Sequence, residues 1–305
     1  MKTLAKFILI TAAMLLATPS IAQSDVSDVG NVSDVSEELK LAALEALIAA
    51  PADKALPLVT KVLDGNHSNE VKERALFILS QIDLPEAQST LLKVARENQD
   101  ELGLEAVRMI GISGNEESLA NLASIYENGN SEAREAVLEA YMIAGDKQSV
   151  FNIALTAEGD DFEAAIEMLS VMGARDELRE LRGKMGVSEA LINAYAISGD
   201  FDSLRQLALD GSDVELQTQA IEAMGIVGGE QVDNTLVEIY RSATSERVRE
   251  AALHGMLISG HDTGVLELYR SSQDPSEKKQ LLEFLVMTGS DEVWNIIDST
   301  LDGDQ

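Results

Sequence analysis

The chain has 305 residues, 45% of them hydrophobic but only 4% aromatic, with no cysteine and a formal net charge of −30. Without cysteine there is neither a disulfide nor a lipoprotein attachment site, and a field so acidic repels nucleic acid and anionic lipid. Few aromatics beside abundant Ala, Leu, Ile, Val and Met favour close-packed helices over a β-sandwich.

Residues 1–22 carry Lys2 and Lys6, an apolar run from Phe7 to Ala17, then Thr18-Pro19-Ser20 and the small pair Ser20 and Ala22. This is the pattern of a cleavable signal peptide, with cleavage expected after Ala22. The run is shorter than the roughly 20 residues that span a bilayer, so no membrane span is expected in the mature chain. Loss of Lys2 and Lys6, and of no acid, takes the formal charge from −30 to −32. Residues 23–36 repeat Ser-Asp-Val at Ser24, Ser27 and Ser33. They lack the large apolar side chains needed to pack, and are expected to be a disordered leader.

From Glu37 the chain becomes a tandem array. Glycines that end amphipathic stretches recur at Gly114, Gly145, Gly173, Gly199, Gly228, Gly260 and Gly289, and the corresponding positions earlier in the chain are Pro51 and Asp83. These reference positions are 26 to 32 residues apart. Glycine suits a helix C-terminus because the residue there turns left-handed. A capping or first-turn residue follows in most units (Asp146, Asp200, Asp291, Pro85-Glu86) and then a second helix. Seven residues before the reference, every unit has an aliphatic residue, from Leu44 and Leu76 to Leu253 and Leu282; four before stand Leu47, Leu79, Ile110, Tyr141, Leu169, Tyr195, Met224, Met256 and Leu285. Both columns should face the core. Six before, Arg108, Glu139, Glu167, Asn193, Glu222, His254 and Glu283 should face water. A unit of this kind buries its stripes only against its neighbours.

Units of the form V-K/R-E-x-A-x-x-x-L-x-x-x-G-D, visible at Val71-Lys72, Ala133-Arg134 and Val248-Arg249, resemble those of the HEAT-repeat proteins, in particular the short bacterial HEAT-like repeats. The period argues against tetratricopeptide and armadillo units. The resemblance implies an all-α superhelix, a HEAT-like solenoid of about nine helix-turn-helix repeats over residues 37–301, followed by an acidic tail at 302–305.

Chemistry is harder to find. His254 falls in the exposed column, His67 and His261 fall in turns, and no HExxH, GxSxG, P-loop or GxGxxG context occurs. The expectation is a chain that is not an enzyme, with no cofactor and no metal; Asp64–Glu70 offers oxygen ligands but departs from the EF-hand spacing. Two groups are candidate partner-binding residues. Tyr126, Tyr240 and Tyr269 end second helices, which generally line the concave side of HEAT arrays; they could supply recognition area or merely fill grooves. Arg175, Arg179, Arg182 and Lys184 form a basic island in an acidic chain, open to an acidic partner or satisfied by Glu177 and Glu180. Gly183 and Gly186 should cut that second helix short. The resulting reading is an exported, monomeric periplasmic scaffold that binds a protein partner. A HEAT-like lyase-type enzyme and a periplasmic holdase for cationic or unfolded chains are the alternatives.

Overall fold

The computed structural model describes residues 32–98, 100–289 and 291–301, with side chains from residue 36. The signal peptide and its cleavage site, most of the leader and the acidic tail lie outside the described residues. The backbone divides into a unit of residues 1–43 and a unit of residues 44–305. The described part of the first is helical from Val32, so helix extends into the segment expected to be leader. All that follows concerns the second unit.

Eighteen α-helices and no strand occur among the described residues. In chain order they are α1 (Val32–Leu47) and α2 (Ala52–Asp64), then eight packed pairs: α3 (Asn69–Ser80) and α4 (Pro85–Glu97), α5 (Glu101–Ser113) and α6 (Glu116–Asn128), α7 (Ser131–Ala144) and α8 (Lys147–Ala154), α9 (Gly159–Val171) and α10 (Arg175–Met185), α11 (Glu189–Ile197) and α12 (Phe201–Leu209), α13 (Val214–Val227) and α14 (Glu230–Ser242), α15 (Glu246–Ser259) and α16 (Asp262–Ser271), α17 (Pro275–Thr288) and α18 (Asp291–Leu301). From α3 to α17 each first helix packs on the first helix of the next pair, while each second helix from α2 to α16 packs against the first helix that follows it. This is a HEAT-like solenoid.

The turn chemistry explains the pairing. All seven reference glycines have positive φ, the conformation that costs a residue with a Cβ most. In four repeats the N–H after the glycine closes onto the carbonyl four residues before it: Asp146 to Tyr141, Ala174 to Leu169, Asp200 to Tyr195 and His261 to Met256, at 2.7–2.9 Å. The residue that anchors the core therefore also accepts the bond that ends its helix. Asp146 and Asp200 then cap the second helices, accepting from the N–H groups of Ser149 and Ser203. Gly228-Gly229 departs from this, with positive φ at both residues.

The core columns are buried as expected, with two exceptions: Leu47 and Leu282 are half-buried, and in the last repeat Leu281 is fully buried instead. Tyr141 and Tyr195 behave alike. Each hydroxyl donates at 3.2 Å to a carbonyl of the preceding second helix, that of Leu119 or Leu178, and burial pushes each phenol up to about 12. The column six before the reference is less exposed than expected. Arg108, Glu139, Glu167 and Glu222 are half-buried, because neighbours pair across repeats: Arg108 Nε donates to Glu139 at 3.0 Å and His254 Nδ1 lies 3.5 Å from Glu222. The expectation that Gly183 and Gly186 cut the second helix of the fifth repeat short is also corrected. Helix α10 runs through Gly183 and ends only where Gly186 takes a φ of 87°.

Candidate functional site

The basic island lies on α10, where Arg175, Arg179 and Arg182 are spaced by four and three residues and so share one helix face. That face meets the next repeat. Arg175 Nε donates to the carbonyl of Ser198 at 2.8 Å, Arg179 grips Asp200 with two bonds of 2.8 and 2.7 Å, and Arg182 donates to Gln206 Oε1 at 2.8 Å. Asp200 is only 1% exposed and also accepts from the Ser203 hydroxyl at 2.8 Å. Burial pushes its carboxyl up, but the bonds from Arg179 and Ser203 outweigh that and hold it below its usual value. Lys184 pairs with Glu180 at 2.7 Å and stands over the Phe151 ring of α8. The counter-ions of Arg179 are Asp176 and Asp200 rather than the expected Glu177. The island is a clip between repeats.

Other arginines act in the same way. Along the second helices Arg96 bonds Asn121, Arg241 bonds Glu267 and Arg270 bonds Glu292, each reaching one repeat onward. Along the first helices Arg74 pairs with Glu45 and Arg134 with Asp161.

The three tyrosines are not brought together, and two of them are not exposed. Tyr240 is 3% exposed and donates its hydroxyl to Glu277 of α17 at 3.0 Å; burial, then that carboxylate, pushes its phenol up. Tyr269 is 9% exposed, with Lys278 Nζ 5.4 Å from its ring centre. Both fill the groove before α17, so the exposed area expected of them is absent. Tyr126 differs. It is half-buried on α6, at the wall of an open cleft of about 610 Å³ lined also by Arg134, Tyr141, Asn152 and Asp161. Its hydroxyl is buried and meets no hydrogen-bond partner among the described residues, and burial, then Asp161, raises its pKa.

The Asp64–Glu70 segment is a capping loop: Gly65 ends α2, the His67 ring packs over Gly65, and the Ser68 hydroxyl accepts from the Val71 N–H. No group of three His, Asp or Glu residues able to hold a metal occurs among the described residues. None of the described helices is long and apolar enough to cross a membrane.

Residues 57–142, from within α2 to near the end of α7, match the family model for HEAT repeats. Residues 57–142 are HEAT repeats. One solved structure similar to it is the complex of CpcE and CpcF of phycocyanin lyase from Nostoc sp. PCC7120, at 16% identity over 88% of this chain and 100% of that chain, with a TM-score of 0.34. No curated protein sequence matches it.

Within the HEAT array one column escaped the sequence reading. Two residues before the reference stand Ile112, Ile143, Val171, Ile197, Ile226, Ile258 and Met287, and all seven are exposed, from 38% at Ile112 to 59% at Ile226. The signal lay in the same alignment that located the core: an aliphatic residue at one fixed offset in seven successive repeats, outside the buried columns.

Proposed function

We propose that this chain is an exported, non-catalytic HEAT-repeat scaffold that acts as a monomer in the periplasm and holds a protein partner. The observation that carries the reading is the array itself: pairs of like construction repeat their exposed side chains at fixed offsets along one surface, and stacked helical repeats present extended binding surfaces. Export is supported by the Lys2/Lys6, apolar-run and Ser20-Ile21-Ala22 pattern.

The non-catalytic part is supported by where the histidines go. His254 sits beside Glu222 and the Phe284 ring, and His261, in the turn between α15 and α16, lies 3.4 Å from Asp233 of the preceding repeat and 3.3 Å from the Thr263 hydroxyl. These are structural contacts. Cross-linking in intact cells with identification of what is captured tests the scaffold reading; a discrete protein partner is expected, and none would overturn it. Mass measurement should find Gln23 as the first residue of protein recovered from the periplasm, and a full-length cytoplasmic product would overturn export.

A further inference from the structure

We infer that the outward face of the first helices is the docking surface for a cationic amphipathic protein segment, which places its aliphatic side chains on the exposed ladder and its Lys and Arg side chains against the acidic rows beside it. This rests on the scaffold reading above and gives it a face and a partner chemistry.

The ladder is Ile112, Ile143, Val171, Ile197, Ile226, Ile258 and Met287. Each lies in the last turn of a first helix, and these helices stack directly on one another from α5 to α17, so the seven side chains recur along the stack at the C-terminal ends of its helices. Ile258 reaches the neighbouring layer: a Cβ built on Gly225 would lie 3.0 Å from its Cβ. Exposed β-branched residues bring no helix-propensity gain, and singly exposed ones are unremarkable. Seven at one offset on successive stacked helices are a repeated exposed apolar feature, which is the mark of an interaction surface.

The charge beside the ladder selects the occupant. Residues four apart share a helix face. Four and eight residues before the rungs stand Glu139 and Glu135 on α7, Glu167 and Glu163 on α9, Asn193 and Glu189 on α11, Glu222 and Thr218 on α13, and His254 and Glu250 on α15. Glu135, Glu163, Glu189 and Glu250 are exposed, and no described basic side chain forms an ion pair with them. From α7 to α15 the ladder therefore runs beside these four unpaired carboxylates, while Glu139 and Glu222 are met by Arg108 and His254 and the end rungs Ile112 and Met287 have Arg108 and Lys279 at the same offsets. A second copy of this chain would bring the same rows and a net charge of −30, and the leader would bring Asp25, Asp28 and Asp34; both are repelled. A segment with aliphatic residues on one side and Lys or Arg on the other matches the ladder in polarity and the rows in charge.

The test uses the full mature chain and a labelled 18-residue helical peptide with Leu on one face and Lys on the other, read by fluorescence anisotropy. Two further peptides replace Leu by Ser or Lys by Glu. The Leu/Lys peptide should bind at least about tenfold tighter than either, since both contacts are needed. The combined variant Ile143→Ser, Ile197→Ser, Ile226→Ser and Ile258→Ser should bind it at least about tenfold more weakly, with helix content and thermal midpoint unchanged because the four side chains are exposed. Glu135→Gln with Glu250→Gln should weaken it, whereas Glu127→Gln with Glu238→Gln on the second helices should not. Equal binding by the four-serine variant, equal binding of the Ser/Lys peptide, or sedimentation of the parent chain with phosphatidylcholine vesicles would overturn the assignment. If the four-serine variant still captures the cellular partner, the face is wrong and the scaffold reading stands. If the parent binds the peptide but captures no protein in cells, the surface stands and the scaffold reading falls.

Discussion

Adjacent residues on one helix show how sharply this array separates roles. Leu253 is fully buried between layers, so Leu253→Ala should cost roughly 2–5 kcal/mol in denaturant titration. His254, the next residue, has a mostly exposed side chain beside Glu222, and His254→Ala should cost under about 1 kcal/mol. Two carboxylates should respond to pH in opposite senses. Asp200 is held below its usual value by Arg179 and Ser203 against the effect of burial, so its contribution is present above the ordinary carboxylate range and is lost as pH falls through its folded value. Asp200→Asn should therefore destabilise at pH 7, with the gap from the parent closing below about pH 4. Glu73 is pushed up by burial, then by the carboxylates of Glu105, Glu101 and Glu70; its ionisation opposes folding. Glu73→Gln should stabilise at pH 7 and lose that advantage on acidification, as thermal midpoints across pH would show.

At the scale of helices, the same substitution should have opposite signs at two glycines. Gly225 on α13 lies so close to α15 that an added Cβ would stand 2.4 Å from the Gly255 carbonyl oxygen, and backbone cannot swing aside. Gly225→Ala should cost about 1–3 kcal/mol despite its better helix propensity. Gly183 lies inside α10 with open space around its added Cβ, so Gly183→Ala should raise stability by about 0.5–1 kcal/mol. Equal shifts in denaturation midpoint would show that helix packing is looser than these distances. The two cases look alike in sequence. Each is a glycine near the end of an amphipathic stretch, and only the neighbouring helix distinguishes a contact from a gap. The reference glycines differ from both, because their recurrence every 26 to 32 residues marks them as turns in the amino-acid sequence itself.

For the whole molecule the governing quantity is charge. There are 53 acidic against 23 basic residues, and three of the six arginine–carboxylate pairs that join repeats, those of Arg74, Arg241 and Arg270, are solvent-exposed at both partners, where each contributes little. Net repulsion should dominate, so the thermal midpoint should rise as salt is raised from about 0.05 to 0.5 M and the Debye length contracts. A falling midpoint would mean instead that the ties from Arg96, Arg108, Arg134, Arg179, Arg241 and Arg270 carry the stack. A cationic partner should meanwhile associate more slowly as salt rises.

What the chain's own pattern determined was everything periodic: the helix pairs, their glycine turns, the caps at Asp146 and Asp200, and the core columns. These are local consequences of 3.6-residue geometry and of glycine's freedom, repeated often enough to read without a neighbouring helix in view. The tertiary structure alone decided who meets whom across repeats. Arg179 has tempting acids close by in sequence, yet its two shortest bonds go to Asp200, 21 residues on, because a neighbouring helix brings that carboxylate to the same face. Tyr240 and Tyr269 are polar-tipped and end their helices, yet α17 covers them. Conversely the column from Ile112 to Met287 is as apolar as any core column, and stacking leaves it in solvent. Polarity states what a side chain prefers; only the packing of one repeat on the next states whether that preference is met.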